Sequence, residues 1–386
     1  MRILFLVYHG FSEYSGISKK IHYQVKGLRE NGHEVHLCYY DFDSRGHRCR
    51  FIDNEIISDY GKGVVAGLRQ RIDYNCIYDY CKNHHIQFVY ARCFQNANPW
   101  LIRLFKQLKH LGVKSVTEIP TYPYDQEFVG FSFMTRMGLK VDQLFRKELS
   151  RQMNAIVTFS DAKEIFGQRT INISNGVDFD SIPLHHYRSS SNTHPTSDIH
   201  LIGVAEVHYW HGFDRLIAGL GEYYRDIRSK RKNVRDVYFH IVGGVGPSEM
   251  NDSMHAPGFA ELIDRFDIQD RIIFHGQLFG DDLNHVFNQC CFAIGSLGRH
   301  RSGITAIKTL KNREYATRGI PFIYSELDTD FDQQCYVLKA TPDETPIDVQ
   351  QIIDFIDSHH FNPLDIRKSV ENLSWRIQMQ YVIDNA

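Results

Sequence analysis

Residues 1–40, MRILFLVYHGFSEYSGISKKIHYQVKGLRENGHEVHLCYY, decide the fold class. RILFLVY is a continuous apolar run, the pattern of a strand buried on both faces. Gly16 lies in a Ser/Gly turn before a helical stretch over about residues 18–30, and Asn31-Gly32 stops that helix. EVHLCYY is the next strand, so the segment is one βαβ unit. Further strand patterns follow at FVYAR (88–92), KSVTEI (114–119) and AIVTFS (155–160), with helical patterns between them. Alternation of this kind predicts a parallel, doubly wound sheet.

The alternation pauses at 181–198, SIPLHHYRSSSNTHPTSD, which reads as a polar linker or exposed loop. It then restarts. DIHLIGVAE, VYFHIVGG, RIIFHG, CFAIGSL and IPFIYS are strand patterns. FAELIDRFDI, DDLNHVFNQC and a stretch over about residues 306–318 are helical. A last helical stretch runs from Asp365 to about Ile383. The expected class is α/β, with two Rossmann-like doubly wound domains facing across a cleft. They cover residues 1–180 and 181–364, with a C-terminal helix over 365–386. Ligands of open α/β sheets bind beyond the carboxyl ends of the strands, so two sheets predict two substrates.

Composition narrows the function. The 386 residues are 42% hydrophobic and 23% charged, enough to bury real cores. Lys and Arg number 44 against 46 Asp and Glu, which argues against a general nucleic-acid binder. No run of 18 apolar residues predicts a membrane span, and the opening run is too short for a signal-peptide core. The eight cysteines show no CxxC pair or zinc spacing, and read as reduced thiols of a cytoplasmic protein.

The sharpest chemical signal is GSLGRHRSGITAIKTLKNRE, residues 295–314. No acid occurs from Leu283 to Arg313, while Arg299, Arg301, Lys308, Lys311 and Arg313 fall within it. Ser302 and Gly303 form a turn, Thr305 is a candidate N-cap, and Lys308 then enters the first helical turn. A cation there opposes the helix dipole unless an anion sits on the free amides. This predicts a diphosphate site. The plainer alternative is a solvated basic helix end with a Lys311–Glu314 pair. Glu314, deeper in the helix, suits ribose hydroxyls or an ion pair with Lys311 or Arg318. His211, at a helix start in AEVHYWHGFDRL (205–216), suits phosphate or simple capping. HIVGGVG (240–246) lacks a dinucleotide fingerprint, and Gly243 and Gly244 suit a loop approaching phosphate or base.

In the first half, ARC (91–93) and TEIPTYPYDQE (117–127) lie at strand ends. Arg92, Glu118, Tyr122, Tyr124 and Asp125 combine charge with aromatic faces, which suits a sugar acceptor or a loop fixed by its prolines. DFD (41–43) and DTD (328–330) are DxD patterns of the kind that hold a metal, and both occur readily by chance. FSFMTRMGLKVDQLFRKELSRQM (131–153) is a basic amphipathic stretch, suited to an anionic membrane or to packing on the sheet.

These motifs resemble the family-4 type of GT-B glycosyltransferases. The carrying pattern is WHGFDRLI, HIVGGVGP, DIQDRIIFHGQL, DDLNHVFNQC and LKNREYATRGIPFI in that order, with the Gly16 turn, NGHEV and SNGVD (174–178) in the first half. The resemblance implies an N-terminal acceptor domain, a C-terminal nucleotide-sugar domain and a last helix that crosses back to the first. It implies a UDP- or GDP-sugar donor, no metal, no further cofactor, and transfer with retention to a glycan or lipid-linked glycan in surface polysaccharide assembly. That places the protein in the cytoplasm, with the inner face of the cell membrane as a candidate site of work. Glu314 matches the second acid of the family's E-x7-E motif, whose first acid falls at Ala306. The basic pair of the donor domain falls at Glu206 and His211. Lys311 resembles a K-x-x-E variant that neutralises the diphosphate. The implied set is Glu118, Lys311 and Glu314 for catalysis; Gly16, His211, Arg299, Arg301, Ser302, Gly303, Thr305 and Lys308 for the diphosphate; Gly243, Gly244, Gln277, Leu278 and Glu314 for the nucleotide; and Arg92, Tyr122, Tyr124 and Asp125 for the acceptor. A GT-B-fold nucleotide-sugar epimerase and a non-catalytic nucleotide-sugar or glycan-binding subunit are the alternatives.

Overall fold

A computed structural model describes residues 1–12, 15–93, 95–124, 133–185, 198–230, 235–253 and 256–386. The chain forms two compact units, Met1–Gly176 with Leu373–Ala386, and Val177–Asn372. Most of the polar linker, residues 186–197, lies outside the described residues.

The first unit is built on a nine-stranded sheet. Its order is Glu55–Gly61, Arg48–Ile52, Glu34–Phe42, Arg2–Leu6, Phe88–Ala91, Lys114–Ile119, Ala155–Thr158, Gln168–Asn172 and Glu164–Ile165. Arg2–Leu6 pairs in parallel on both sides. Side chains alternate along it, so Ile3, Phe5 and Val7 enter one core while Leu4 and Leu6 enter the other. Helices Gly16–Glu30 and Trp375–Asn385 cover the first face; Asn75–Asn83 and Pro99–His110 cover the second. That double burial is why RILFLVY carries no polar alternation. The strands Arg48–Ile52 and Glu55–Gly61 are an antiparallel addition that apolar runs do not predict. They turn at Asp53 and Asn54, both at positive φ, a conformation these two residue types tolerate.

The second unit carries a six-stranded, all-parallel sheet. Its order is Ile272–Gly276, Val237–Val242, Ile199–Val204, Phe292–Ile294, Phe322–Tyr324 and Val337–Lys339. Helices Phe213–Lys230, Phe259–Phe266 and Val349–Ser358 pack on one face. Gly280–Gln289 and Leu310–Arg318 complete the strand–helix alternation. The single C-terminal helix expected from Asp365 is instead two, Pro363–Lys368 and Trp375–Asn385. Ser374 makes the break by accepting the Ile377 amide as an N-cap. Among the described residues no helix is long and apolar enough to cross a membrane.

Candidate functional site

The carboxyl ends of the parallel strands in the second unit gather the candidate residues. Loops 205–207 and 243–244 zip together: Ala205 N donates to Val242 O at 2.9 Å, and Val207 N to Gly244 O at 2.7 Å. Gly243 has φ +127, and a Cβ there would lie 1.7 Å from Ala205 O, so only glycine fits. A Cβ built on Gly244 would meet Gln277 Nε2 at 3.7 Å. Gly243, Gly244 and Gln277 therefore stand together, with Leu278 following at the end of the strand Ile272–Gly276.

His211 closes a short turn whose next residue, Gly212, adopts φ +64. A Cβ on Gly212 would sit 2.6 Å from Gly298 N, so the His211 loop and the 297–301 loop touch through backbone. Leu297 N donates to His211 O at 2.8 Å. His211 is buried, and its Nδ1 accepts the His208 amide at 3.0 Å. The neutral ring thus carries its proton on Nε2, a tautomer assigned from that hydrogen bond. Burial first, then the charges of Lys311 and Arg299, hold its pKa well below the ordinary histidine value. His211 is accordingly a neutral Nε2–H donor at physiological pH.

Arg301 does not belong with the phosphate ligands. Its Nη1 and Nη2 clamp Asp214 at 2.8 and 2.7 Å, Nε and Nη2 reach Glu344 at 3.0 and 2.5 Å, and Nη1 also meets Tyr209 O. Every guanidinium nitrogen is committed, so its work is to pin the two loops that carry His211 and Arg299. Lys308 pairs with Asp330 at 3.6 Å. Arg313 is fully buried against Asp328, at 2.6 and 2.9 Å, and against Asp330. The DTD acids are therefore counter-ions of cations nearby in sequence.

The helix bearing Lys311 starts later than its sequence indicates. Ile307 N donates to Leu327 O and Leu327 N to Thr305 O, which holds residues 305–307 extended. The helix is Leu310–Arg318, with Thr309 as its first boundary residue. Thr305 is therefore no N-cap, Lys308 lies outside the first turn, and Lys311 takes the place expected of Lys308. Lys311 Nζ is buried with no hydrogen-bond partner among the described residues. Burial and then Arg299 push its pKa down, against the pull of Glu326. Other buried polar atoms without a hydrogen-bond partner among the described residues sit on the same helix start and on the ends of the strands Phe292–Ile294 and Phe322–Tyr324: Thr309 Oγ1, the Asn312 amide, Ser296 Oγ and the Glu326 carboxylate. Native interiors satisfy such groups, so their concentration at a strand end marks a place for a polar ligand. Glu326 is the member the sequence reading missed; an acid two residues beyond a parallel strand was the available signal.

Glu314 is about a third exposed and pairs through Oε1 with Arg318, at 2.9 and 3.0 Å. Arg318 is itself steadied by Asn284 at 2.8 Å. Ser302 Oγ donates to Arg299 O, and Gly303 closes that turn at φ +69, so both shape the Arg299 loop.

In the first unit Glu118 is completely buried. Tyr90 OH and Gln24 Nε2 donate to its Oε2 at 2.6 and 2.7 Å, and Lys20 Nζ lies 3.2 Å from Oε1. Arg92 Nε approaches Oε1 at 3.1 Å, out of line for a hydrogen bond. Burial alone would raise its pKa, but the two cations and two hydrogen bonds hold it at about 2. An enclosed carboxylate held ionised in this way is the counter-ion of Lys20 and Arg92. Arg92 keeps a buried Nη1 without a hydrogen-bond partner among the described residues. Tyr124 is buried with its hydroxyl on Asp142 at 2.7 Å, which withdraws it from acceptor binding. Tyr122 is half-buried against the Phe166 ring. Asp125 lies outside the described residues. Gly16 is exposed at the start of its helix, which Ser15 caps. Asp43 of the DFD pattern lies with Cys49 and Asp59 in a group of metal-suited atoms, but Arg45 already pairs with both carboxylates.

No protein-family model matches this chain, and no curated protein matches it. Solved structures do. Sucrose-phosphate synthase from Thermosynechococcus elongatus superposes with a TM-score of 0.62 at 13% identity, over 99% of this chain and 97% of that one. The catalytic domain of starch synthase IV from Arabidopsis thaliana, bound to ADP and acarbose, gives 0.58 at 12% identity, over 100% and 98%. A putative UDP-N-acetylglucosamine 2-epimerase from Listeria monocytogenes gives 0.53 at 10% identity, over 99% and 94%. The chain has the GT-B fold. Identity this low carries the fold and no activity.

Proposed function

We propose that the C-terminal unit binds a nucleotide-diphosphate sugar, UDP- or GDP-linked, and that the protein transfers the sugar, with retention and without a metal, to a glycan or lipid-linked glycan in surface polysaccharide assembly. The observation that carries this reading is the buried Lys311 amine with no hydrogen-bond partner among the described residues, at the carboxyl edge of a parallel sheet. In the reaction the sugar–phosphate bond breaks and the diphosphate gains negative charge. Lys311, Arg299, the His211 Nε2–H and the first amides of the helix Leu310–Arg318 meet that charge, and they do so most strongly in a site closed to water. The sugar becomes oxocarbenium-like as the bond lengthens. Glu314, held by Arg318 through one oxygen, keeps the other for ribose hydroxyls. Gly243, Gly244, Gln277 and Leu278 form the nucleotide side, and no further cofactor is needed. In the N-terminal unit Arg92 and Tyr122 serve the acceptor, and Glu118 positions Arg92. A second reading, a nucleotide-sugar epimerase, is favoured by the 2-epimerase neighbour; it would convert donor with no acceptor present, which product analysis separates from transfer.

The test is a thermal-shift screen of UDP, GDP, ADP and their sugars. A ligand at 100 times its Kd stabilises the folded protein by about 2.7 kcal/mol, so one nucleotide class should raise the melting temperature by several degrees while the others leave it in place. Transfer should persist in EDTA. No shift with any nucleotide would reject the reading.

Work at the inner membrane face belongs to the same proposal. Helix Phe133–Ser150 exposes Met137, Val141 and Leu144 on one side, and Leu144 is 76% exposed. Arg136, Lys140 and Lys147 flank that stripe, and all three are exposed. Such a face suits anionic lipid. The protein should co-sediment with vesicles containing phosphatidylglycerol and be released by about 0.5 M salt, because surface charges are screened there. Leu144→Asp should abolish the binding.

A further inference from the structure

Glu326 has no role in the transfer just described, and its surroundings call for one. It follows the strand Phe322–Tyr324 by two residues and is 2% exposed. Neither carboxylate oxygen has a hydrogen-bond partner among the described residues. Lys339 does not neutralise it, because its Nζ donates to the Glu326 carbonyl and to Asp332. The charged groups acting on the carboxylate are Arg299 and Lys311, which favour ionisation, and Asp328, which opposes it. Lys311 Nζ also ends without a hydrogen-bond partner among the described residues. The helix that bears Lys311 and the loop that bears Glu326 are joined by the Arg313–Asp328 ion pair at 2.6 Å, yet among the described residues the buried acid and the buried amine do not meet in a hydrogen bond.

Leaving both groups unsatisfied is costly, and one bridging group would relieve both. A phosphate oxygen would satisfy Lys311 but be repelled by Glu326. An ammonium would do the reverse. A hydroxyl donates to the carboxylate and accepts from the ammonium, so it alone of these three answers the pair.

A second observation concerns the strand partner. Ala306 bridges to Leu327, and both are exposed. Side chains alternate along an extended segment, so an acid at 306 would point outward with Leu327, whereas Glu326 points inward. The carboxylate that reaches the interior of this loop pair therefore comes from position 326.

Building on the nucleotide-sugar reading, we infer that Glu326 and Lys311 form a hydroxyl-binding subsite for the transferred sugar, with one ring hydroxyl bridging the carboxylate and the amine. Glu326 then selects the sugar, and Lys311, whose ammonium carries three N–H donors, meets the bridging hydroxyl with one of them and, with Arg299, still holds the diphosphate.

The experiment compares wild type, Glu326→Gln and Glu326→Ala for binding of a nucleoside diphosphate and of the matching nucleotide sugar, by titration calorimetry, with donor kcat/KM measured beside it. Both variants should bind the nucleoside diphosphate within about two-fold of wild type. They should lose the affinity the sugar adds, and kcat/KM should fall roughly 10–100-fold, the size of a hydrogen bond to a charged group. A donor lacking the bridging hydroxyl should be insensitive to the substitutions. Equal loss of diphosphate and sugar-nucleotide affinity would overturn the subsite, as would unchanged selectivity. Failure of the wild-type chain to bind any nucleotide would instead overturn the reading on which the subsite rests.

Discussion

Lys311→Met lowers the rate of sugar transfer by roughly 10²–10³-fold and leaves the melting temperature unchanged or slightly raised. The first half of this expectation follows from position. Lys311 is the second residue of the helix Leu310–Arg318, where an ammonium opposes the helix dipole and gains nothing from the backbone. Its amine is buried without a hydrogen-bond partner among the described residues, so the folded protein bears a desolvation cost for it. A diphosphate removes that cost by restoring the charge to a partner. Loss of one preorganised donor to a leaving group of this kind lowers kcat by roughly 10²–10³-fold. The second half follows from the same cost. Methionine fills the volume with no polar atom, and Glu326 responds to the missing cation by taking up a proton, toward which its burial already pushes it. A lysine kept for stability would behave oppositely, losing melting temperature in step with activity. Steady-state kinetics and a melting curve on one preparation separate the two. Wild-type turnover, or a melting temperature lowered along with the rate, would remove Lys311 from the site.

The sequence discloses those parts of this protein that depend on local pattern. RILFLVY reads as a strand because both of its faces are covered, and the cores of Ile3 and Leu4 lie on opposite sides as that requires. The start of the Lys311 helix is misread because Thr305 carries N-cap chemistry locally, while its backbone is claimed by Leu327. The basic run 299–313 is visible as charge, but its partners are not. Arg301 is neutralised by Asp214, 87 positions away, and by Glu344, 43 positions away. Only the fold shows that Arg301, Lys308 and Arg313 are already paired with acids while the Lys311 amine is not hydrogen-bonded. Glu326 goes unnoticed for the converse reason: one acid in SEL has no pattern, and its isolation from hydrogen bonds is a property of the folded chain.

Glu118→Gln destabilises the N-terminal unit by about 3–5 kcal/mol at neutral pH, because it leaves Lys20 and Arg92 buried without their counter-ion. Lys20 lies 3.6 Å from the centre of the Phe159 ring and Arg92 is 5% exposed, so neither cation can turn to water in place of the carboxylate. The pH dependence carries the diagnosis. The folded protein holds Glu118 at about 2, against an ordinary value of 4.5. As pH falls past 4.5 the unfolded chain takes up this proton first, so the contribution of Glu118 is complete above 4.5 and disappears as pH approaches 2. Wild type should therefore show a steeper loss of denaturation midpoint between pH 4.5 and 2 than Glu118→Gln, whose curve lacks that component. A second substitution sharpens the result. Lys20→Met in the Glu118→Gln background removes one of the stranded cations and should recover part of the lost stability, although Lys20→Met alone is destabilising. Were Glu118 an acceptor-side base, Glu118→Gln would lower kcat at an unchanged midpoint, and the double variant would recover nothing.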